Sequence, residues 1–503
     1  MIDLHRFFQT LKKIQKPDLE LGGLLLILSF LIIVLQLLYL NLRFDHLAGS
    51  VPLFYTRFWG LSQIASKSSL FLIPSLSVFI SAIGLMFFFY LSLRFYKYGP
   101  RIVFFIVLFS DLFLSASLFR IVHLSLIVST SLISPDTFYI AVPFLLALFL
   151  VVAFSKIYLL QMHKMKIVTD PEKHSHPAMI LSHPSARGGG LLFACVFVLT
   201  SLFFVPLTVE VVGVIFGVLC LAIVGIIDDY QNTHSESKLK FLENPVIRLG
   251  LLFIVVGILY FFNIRIDFLS NPFNGLFYLN NLNFALMGVV ISPVSWILTT
   301  VWVVWILNLL SWSNGVDGQY SGMVGIALLI VAFLALRFPS VSSEQYSYAQ
   351  LAVIAAGVSF GLIVLTWYPS KIMWGFGAMS AGIVLASISI LVQAKIITSV
   401  LILFVPFLDA VVTFFRRVFR GRNPLRADRE HLHHLLLARG FSVPQVAIFY
   451  WLVTLLFGGL SIFSVENPTL QTVFLVAGTI FFLIVLVNLR VLKKKPPQQL
   501  FES

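Results

Sequence analysis

Runs of about twenty uninterrupted apolar residues recur along almost all of this chain, each long enough to cross a ~30 Å hydrocarbon core as a helix. Few folds survive that constraint. A chain in hydrocarbon must satisfy its backbone polar groups within each helix or within a closed barrel. The apolar runs here are continuous rather than alternating, which selects helices over barrel strands. The 503 residues are 59% hydrophobic and 11% charged, against roughly a quarter charged in a soluble fold. The expected fold class is all-α: a polytopic integral membrane helical bundle with about 14 transmembrane helices.

The spans are expected near residues 21–41, 70–93, 102–129, 138–160, 189–207, 211–227, 248–263, 292–310, 320–336, 348–367, 372–391, 396–415, 443–463 and 470–490. An even number puts both termini on one side, and both are basic, at Lys12–Lys16 and Lys493–Lys495. The positive-inside rule then assigns the termini and the loops 161–188, 228–247, 311–319, 368–371 and 416–442 to the cytoplasm of an inner or plasma membrane. The first apolar run, Leu21 to Leu40, is too long for a signal-peptide core and reads as a retained anchor. The net charge of +13 is concentrated in those loops, so it argues for topology and anionic lipid rather than nucleic acid. Cys195 and Cys220 fall inside spans without metal-ligand spacing and read as small core residues.

Three polar clusters stand out, all at helix ends on the expected cytoplasmic face. Asp228-Asp229 closes one apolar helix; two adjacent carboxylates near low dielectric call for a cation or a basic partner, and Mg²⁺ suits such oxygen ligands. An ordinary solvated helix end is the bland alternative. Asn308, Ser311, Asn314 and Asp317 recur every three residues, which on a helix keeps them near one face, with Gly315 and Gly318 open to close backbone approach. A simple turn is the competing reading. The 416–442 loop carries Arg416, Arg417, Arg420 and Arg422, then Asp428-Arg429-Glu430-His431-Leu432-His433-His434. Arginines grip phosphate oxygens with paired donors, and the histidines are open to phosphate binding, metal binding or proton transfer. A basic topogenic loop explains the arginines but not three clustered histidines. Ser185-Ala-Arg187-Gly188-Gly189-Gly190 opens a helix, where glycines either expose amides to phosphate or permit close packing. Further upstream, Asp111 precedes Arg120 and His123 on one span, and a structural ion pair is favoured there over a second site.

In this order, over roughly residues 138–490, the clusters resemble the polyprenyl-phosphate N-acetylhexosamine-1-phosphate transferases, the bacterial UDP-sugar branch of glycosyltransferase family 4. Arg187-Gly-Gly matches that family's opening motif, Asp228-Asp229 its paired aspartates and Lys240 its following lysine. Asn308 to Asp317 matches its N-x-x-N-x-x-D-G-x-D-G stretch. Asp409, Arg417 to Arg422 and Asp428 to His434 match its arginine- and histidine-rich loop. Three positions depart: Ser311 replaces an Asn, Asn314 replaces an Asp, and Phe376 stands where the family places a metal-ligating Asp. Trp374, beside it, is a candidate aromatic face for uracil.

The resemblance implies transfer of an N-acetylhexosamine 1-phosphate from a UDP-sugar to undecaprenyl phosphate, with release of UMP, to start cell-envelope glycan synthesis. It implies a Mg²⁺-dependent transferase, with Mn²⁺ as an alternative ion. The implied catalytic residues are Asp228, Asp229, Asp317 and His431, with the metal on Asp228 and Asp229. Arg187, Lys240, Asn308, Asn314, Arg422, Arg429, His433 and His434 are the implied substrate-binding residues. Undecaprenyl phosphate, UDP-sugar and membrane lipid are the expected partners, and a homodimer is left open. A second reading is a catalytically degenerate member that binds lipid phosphate or nucleotide sugar as a regulator or scaffold. A transporter reading would place ionisable residues at mid-bilayer, whereas these gather at one face. The domain division follows: 1–135, a membrane extension of unknown role; 136–492, the transferase-like core; 493–503, a basic cytoplasmic tail.

Overall fold

A computed structural model describes residues 16–53, 64–93, 99–125, 135–171, 183–234, 242, 244–270, 276–279, 283–286, 289–337, 342–394, 396–421, 423, 430–465 and 467–491. The chain forms two compact units, Met1–Pro135 and Asp136–Ser503.

In the first unit three helices pack on one another: α1 (Lys16–Arg43), α2 (Leu72–Leu93) and α3 (Gly99–Leu124). A short antiparallel pair, β1 (Ser50–Pro52) and β2 (Ile64–Ser66), joins α1 to α2 with Val51 opposite Ala65. Two apolar layers form its core. Leu40, Val51, Leu70, Leu118 and Val122 make one, and Leu25, Phe88, Phe104 and Val107 the other. Large apolar side chains such as Phe30, Phe79, Met86 and Ile106 point outward, as lipid-facing residues do.

The second unit begins with α4 (Pro135–Lys164), then the strand pair β3 (Val168–Thr169) and β4 (Ser185–Ala186). There follow α5 (Gly189–Phe204), α6 (Val209–Thr233) and α7 (Pro245–Leu259). Two hairpins come next, β5 (Phe268–Ser270) with β6 (Leu276–Tyr278) and β7 (Phe284–Leu286) with β8 (Val289–Ile291). The remaining helices are α8 (Pro293–Trp312), α9 (Gln319–Ala335), α10 (Ser343–Thr366), α11 (Ala378–Leu391), α12 (Ile396–Ile402), α13 (Phe404–Phe419), α14 (Leu432–Leu437), α15 (Val443–Ser464) and α16 (Pro468–Val491). Local chemistry fixes several starts. Thr208 caps α6, Asn244-Pro245 opens α7, and Ser442 with Gln445 forms a capping box on α15.

Each expected span contains a helix among the described residues, although 372–391 becomes helical only from Ala378. Among the described residues eight helices are long and apolar enough to cross a membrane, nine if the bent pair α12–α13 counts as one. The described part of α1, with α5, α7, α9 and α11, supplies shorter apolar helices, so the figure of about 14 spans includes several of sub-span length. The expected single span at 396–415 is broken by a 96° bend. Pro406 is the physical reason: it lacks an N–H for the residue four positions back, and its ring would clash with that carbonyl. The bend sits at Leu403, one turn before it, and α13 starts afresh.

α11 is the axis of the unit, packed against α5, α6, α8, α9 and α10. Its residues from Ala378 to Ser389 are all buried, as an all-round apolar helix of small residues requires. Glycines bring three helices to backbone contact there: a Cβ on Gly190 or on Gly225 would overlap the main chain of Gly377. Antiparallel packing then gathers the end of α6, the start of α5, the α8–α9 turn and the α10–α11 connection at one end of the unit. At the other end, a cavity of about 500 Å³ opens among Glu210, Asn263, Asp267, Tyr348 and Ile396. That cavity holds none of the expected site residues.

Candidate active site

The carboxylate pair lies in the last two turns of α6, with Asp228 3% exposed and Asp229 fully buried. Ionised groups at that depth need partners. Arg248, one turn into α7, places Nη2 2.6 Å from Asp228 Oδ1, and Asn232 donates to Asp228 Oδ2 at 2.8 Å. Arg187 donates to Asp229 Oδ1 at 3.3 Å and is itself held by Thr169 Oγ1 at 2.5 Å. Each carboxylate therefore has its own guanidinium. Asp229 Oδ2 is buried without a hydrogen-bond partner.

The connection Trp367–Gly377 ties the other groups to this pair. Its edge bonds to the Arg187 strand, with Met373 N donating to Ala186 O at 2.7 Å and Gly189 N to Met373 O at 3.0 Å. Gly375 adopts φ +62°, and a Cβ there would overlap both Asp229 oxygens, so only glycine lets the main chain lie against that carboxylate. Phe376 follows, and the Arg248 guanidinium lies 5.3 Å from its ring centroid. On the other side of the connection, Ser370 N donates to Asp317 Oδ2 at 3.0 Å, and Ser370 O lies 2.9 Å from His183 Nε2. Burial raises the Asp317 carboxyl above the ordinary Asp value, opposed by the Ser370 hydrogen bonds and the charge of His183. A small polar cleft of about 50 Å³ separates Asn314–Gly318 from Ile372–Trp374.

The histidines form a third group. Asp409 on α13 accepts from Leu432 N at 2.9 Å and lies 2.8 Å from His431 Nδ1. That contact fixes the ring and turns Nε2 toward Arg417, 3.4 Å away. His433 stacks parallel to His431 at 5.7 Å and abuts Gly315, where a Cβ would overlap its Nε2. Burial, and next the neighbouring His434 and His431, hold the His433 imidazole well below its usual value, so it is neutral at pH 7. His434 lies 4.2 Å from the His433 ring. Asp409, Thr413, Arg416 and Arg417 occupy one buried face of α13. Glu430 binds Arg416 at 3.3 Å and Arg420 at 3.0 Å.

Local backbone links thus join the three sequence clusters: Gly375 to Asp229, Ser370 to Asp317, Gly315 to His433. Several expectations change. Asn314 and Asp317 do not share a helix face with Asn308, because α8 ends at Trp312 and the chain turns through Gly318 at φ +76°. Asn308 is half-buried and spends its amide on the Val304 carbonyl of its own helix at 2.8 Å. Trp374 offers no face to a base: it is 2% exposed, packed between Tyr320 at 4.9 Å and Phe193 at 5.6 Å, and donates to Ser321. The Gly189 and Gly190 amides bond to Met373 and Trp374 carbonyls, so the glycine run serves packing rather than phosphate. Asp111 is held by serine hydroxyls rather than by an ion pair with Arg120 or His123. Lys240, Arg422, Arg429 and the 493–503 tail lie outside the described residues. Sequence reasoning missed Arg248 as a site residue, although a lone arginine inside an apolar helix start is itself the signal.

Whether these residues suit a divalent cation rests on their donor atoms. Two hard carboxylates, each with a buried oxygen that accepts no hydrogen bond, match Mg²⁺ chemistry, in which one or two carboxylates combine with substrate phosphates. Among the described residues no third His, Cys, Asp or Glu joins them, and Phe376 cannot. The pair therefore fits an ion whose remaining ligands come from the substrate, not an ion caged by protein alone.

Residues 211–393 match the model of glycosyl transferase family 4, a stretch that carries Asp228, Asp229, Arg248, Asp317 and the Gly375 connection. Over that stretch the chain is similar to that family. It is 27% identical over 284 residues to a probable undecaprenyl-phosphate N-acetylglucosaminyl 1-phosphate transferase of Bacillus subtilis, covering 54% of this chain and 70% of that one. It is 25% identical over 298 residues to a phospho-N-acetylmuramoyl-pentapeptide-transferase of Borrelia garinii, covering 56% and 81%. A decaprenyl-phosphate N-acetylglucosaminephosphotransferase of Mycolicibacterium smegmatis is 27% identical over 232 residues, covering 41% and 57%.

Proposed function

We propose that the protein transfers a sugar 1-phosphate from a UDP-N-acetylhexosamine, or a related UDP-sugar, to undecaprenyl phosphate, starting a cell-envelope glycan. The observation that carries this reading is the buried Asp228–Asp229 pair, each carboxylate bound to its own arginine, with Asp229 pressed against Gly375. The family match over residues 211–393 and the activities named for the similar proteins support it.

In the reaction a lipid phosphate oxygen attacks the phosphorus that bears the sugar. The bond from that phosphorus to the bridging oxygen breaks, and the electron pair leaves on UMP. Two anions must meet, so the site's first task is to offset their repulsion. Arg187, Arg248 and Arg417 supply fixed positive charge around the carboxylates and histidines. Asp228 and Asp229 would hold Mg²⁺, which when bound screens the pyrophosphate. His431, oriented by Asp409, presents Nε2 as a hydrogen-bonding group for a phosphate oxygen. His433 remains neutral and braces the Asn314–Gly318 turn through Gly315. Asp317 anchors that turn to Ser370 and so shapes the nucleotide side of the cleft.

These loops and both termini face the cytoplasm in this reading, since the donor is a cytosolic nucleotide sugar and the polyprenyl tail stays in lipid. The test is UMP release by purified protein with undecaprenyl phosphate and a panel of UDP-sugars, with and without Mg²⁺, and with Asp228→Asn as background. Lipid-dependent release above that background supports the transferase. Donor binding without release, from folded protein, overturns it in favour of a non-catalytic binding role.

A further inference from the structure

The first unit buries a cluster of polar side chains among hydrocarbon-facing helices. Asp111 on α3 is fully buried, and Ser81 Oγ donates to its Oδ2 at 2.8 Å. Ser29 and Ser77 flank the same carboxylate. Gln36 on α1, 3% exposed, directs its amide nitrogen to Ser115 Oγ at 2.8 Å, Ser77 Oγ at 3.1 Å and the Asp111 carbonyl at 3.3 Å. All three helices of the unit contribute. The chamber lies between the two apolar layers of the core: along α1, Leu25 precedes Ser29 and Gln36 while Leu40 follows them. Along α3, Phe104 and Val107 precede Asp111 while Leu118 and Val122 follow it.

Three oxygens in this chamber are buried without any hydrogen bond: Ser29 Oγ, Gln36 Oε1 and Asp111 Oδ1. Gln36 has spent its donors on hydroxyls and a carbonyl, and its own oxygen is left buried without a donor. A buried carboxylate surrounded only by neutral serine hydroxyls has no counter-charge, and unpaired acceptors at such depth are costly. A proton on Asp111 would satisfy one further acceptor and leave the next. A small monovalent cation answers all of them at once, with one positive charge matching the single carboxylate. Arg120 and His123 lie nine and twelve residues further along α3, more than two turns away, at the level of the other apolar layer.

We propose that Asp111, Gln36, Ser29, Ser77 and Ser81 form an oxygen-lined site for a sodium-sized cation at the centre of the amino-terminal helical unit. The candidate ligands are all hard oxygens, with no imidazole or thiol among them, which disfavours soft transition metals. One carboxylate among neutral oxygens favours a singly charged ion over a divalent one. The site is remote in sequence from the transferase residues and does not depend on that activity.

The experiment uses the full chain in detergent, comparing NaCl with choline chloride at constant ionic strength. A ligand that binds only the folded state raises the unfolding midpoint with concentration. The expected result is a saturable Na⁺-specific rise, with radiolabelled sodium bound near one per chain. Asp111→Asn and, as a second variant that keeps the carboxylate, Gln36→Leu should each weaken the sodium response about tenfold or more. Equal midpoints in sodium and choline with no bound label, or an undiminished response in folded Asp111→Asn, would overturn the proposal. A midpoint that follows pH alone, indifferent to sodium, would show a protonated carboxyl and overturn it equally.

Discussion

Arg248 neutralises Asp228 and also covers the ring of Phe376. Arg248→Ala strands a buried carboxylate, a loss of about 3–5 kcal/mol for a buried pair. Arg248→Lys keeps the charge but forfeits the planar stack on Phe376. The lysine variant should therefore stay folded with reduced UMP release, while the alanine variant loses thermal stability; unfolding midpoints and turnover measured together separate the two. Gly375→Ala meets both steric limits at once, a positive φ and the Asp229 oxygens, and should lower the midpoint and turnover. Gly459→Ala, with nothing within 4 Å, should change neither. Titration belongs at this scale too. Folded His433 refuses a proton that the unfolded chain accepts below about pH 6.5, so its contribution is intact above that value and lost as pH falls through the window beneath it. Asp317 runs the opposite way: its raised carboxyl favours the folded state at low pH and costs stability as pH climbs past the ordinary Asp value. Midpoints followed from pH 7 down to 5 should fall for the native chain and flatten in His433→Gln.

Among elements, α11 is the most constrained. Gly190 on α5 and Gly225 on α6 touch the main chain at Gly377 just before it starts, so Gly190→Ala must part helices rather than rotate a side chain. The expected penalty is about 1–3 kcal/mol, read as a lower denaturation midpoint. Much of this architecture was legible in the chain. Continuous apolar runs placed the long helices though not the short α14, and Asp228-Asp229 and the histidine cluster announced themselves as polar groups where hydrocarbon should be. What stayed hidden was set by contacts between distant segments. The helix-face reading of Asn308 to Asp317 failed because periodicity continues through Gly315 and Gly318 while the helix does not. Trp374 read as a base platform because residue type carries no information on which rings cover it. The kink before Pro406 was available from the residue alone, and a long apolar run masked it. Arg248 escaped notice because it lies twenty residues after its partner Asp228, on the next helix, beyond any local spacing rule.

For the whole molecule, the geometry of the second unit separates two ends. The carboxylates, the Asn314–Gly318 turn and the histidines share one, while Glu210, Asn263 and Asp267 line a cavity at the other. In a cysteine-free background, made by Cys195→Ser and Cys220→Ser, a cysteine at Arg420 and one at Asp267 should react with a membrane-impermeant maleimide from opposite sides of sealed vesicles. Labelling of both from one side would break the proposed orientation. The glycine contact at the head of α11 has a further consequence, for how the chain tolerates change. A library of variants sorted only for folded protein in the membrane should lose every side chain at positions 190 and 377, yet keep asparagine at 228 and 229. Sorted again on turnover, it should lose those as well. The difference between the two maps would trace the reacting groups without reference to any substrate, because at this crossing the residues that hold the helices together are not the ones that do the chemistry.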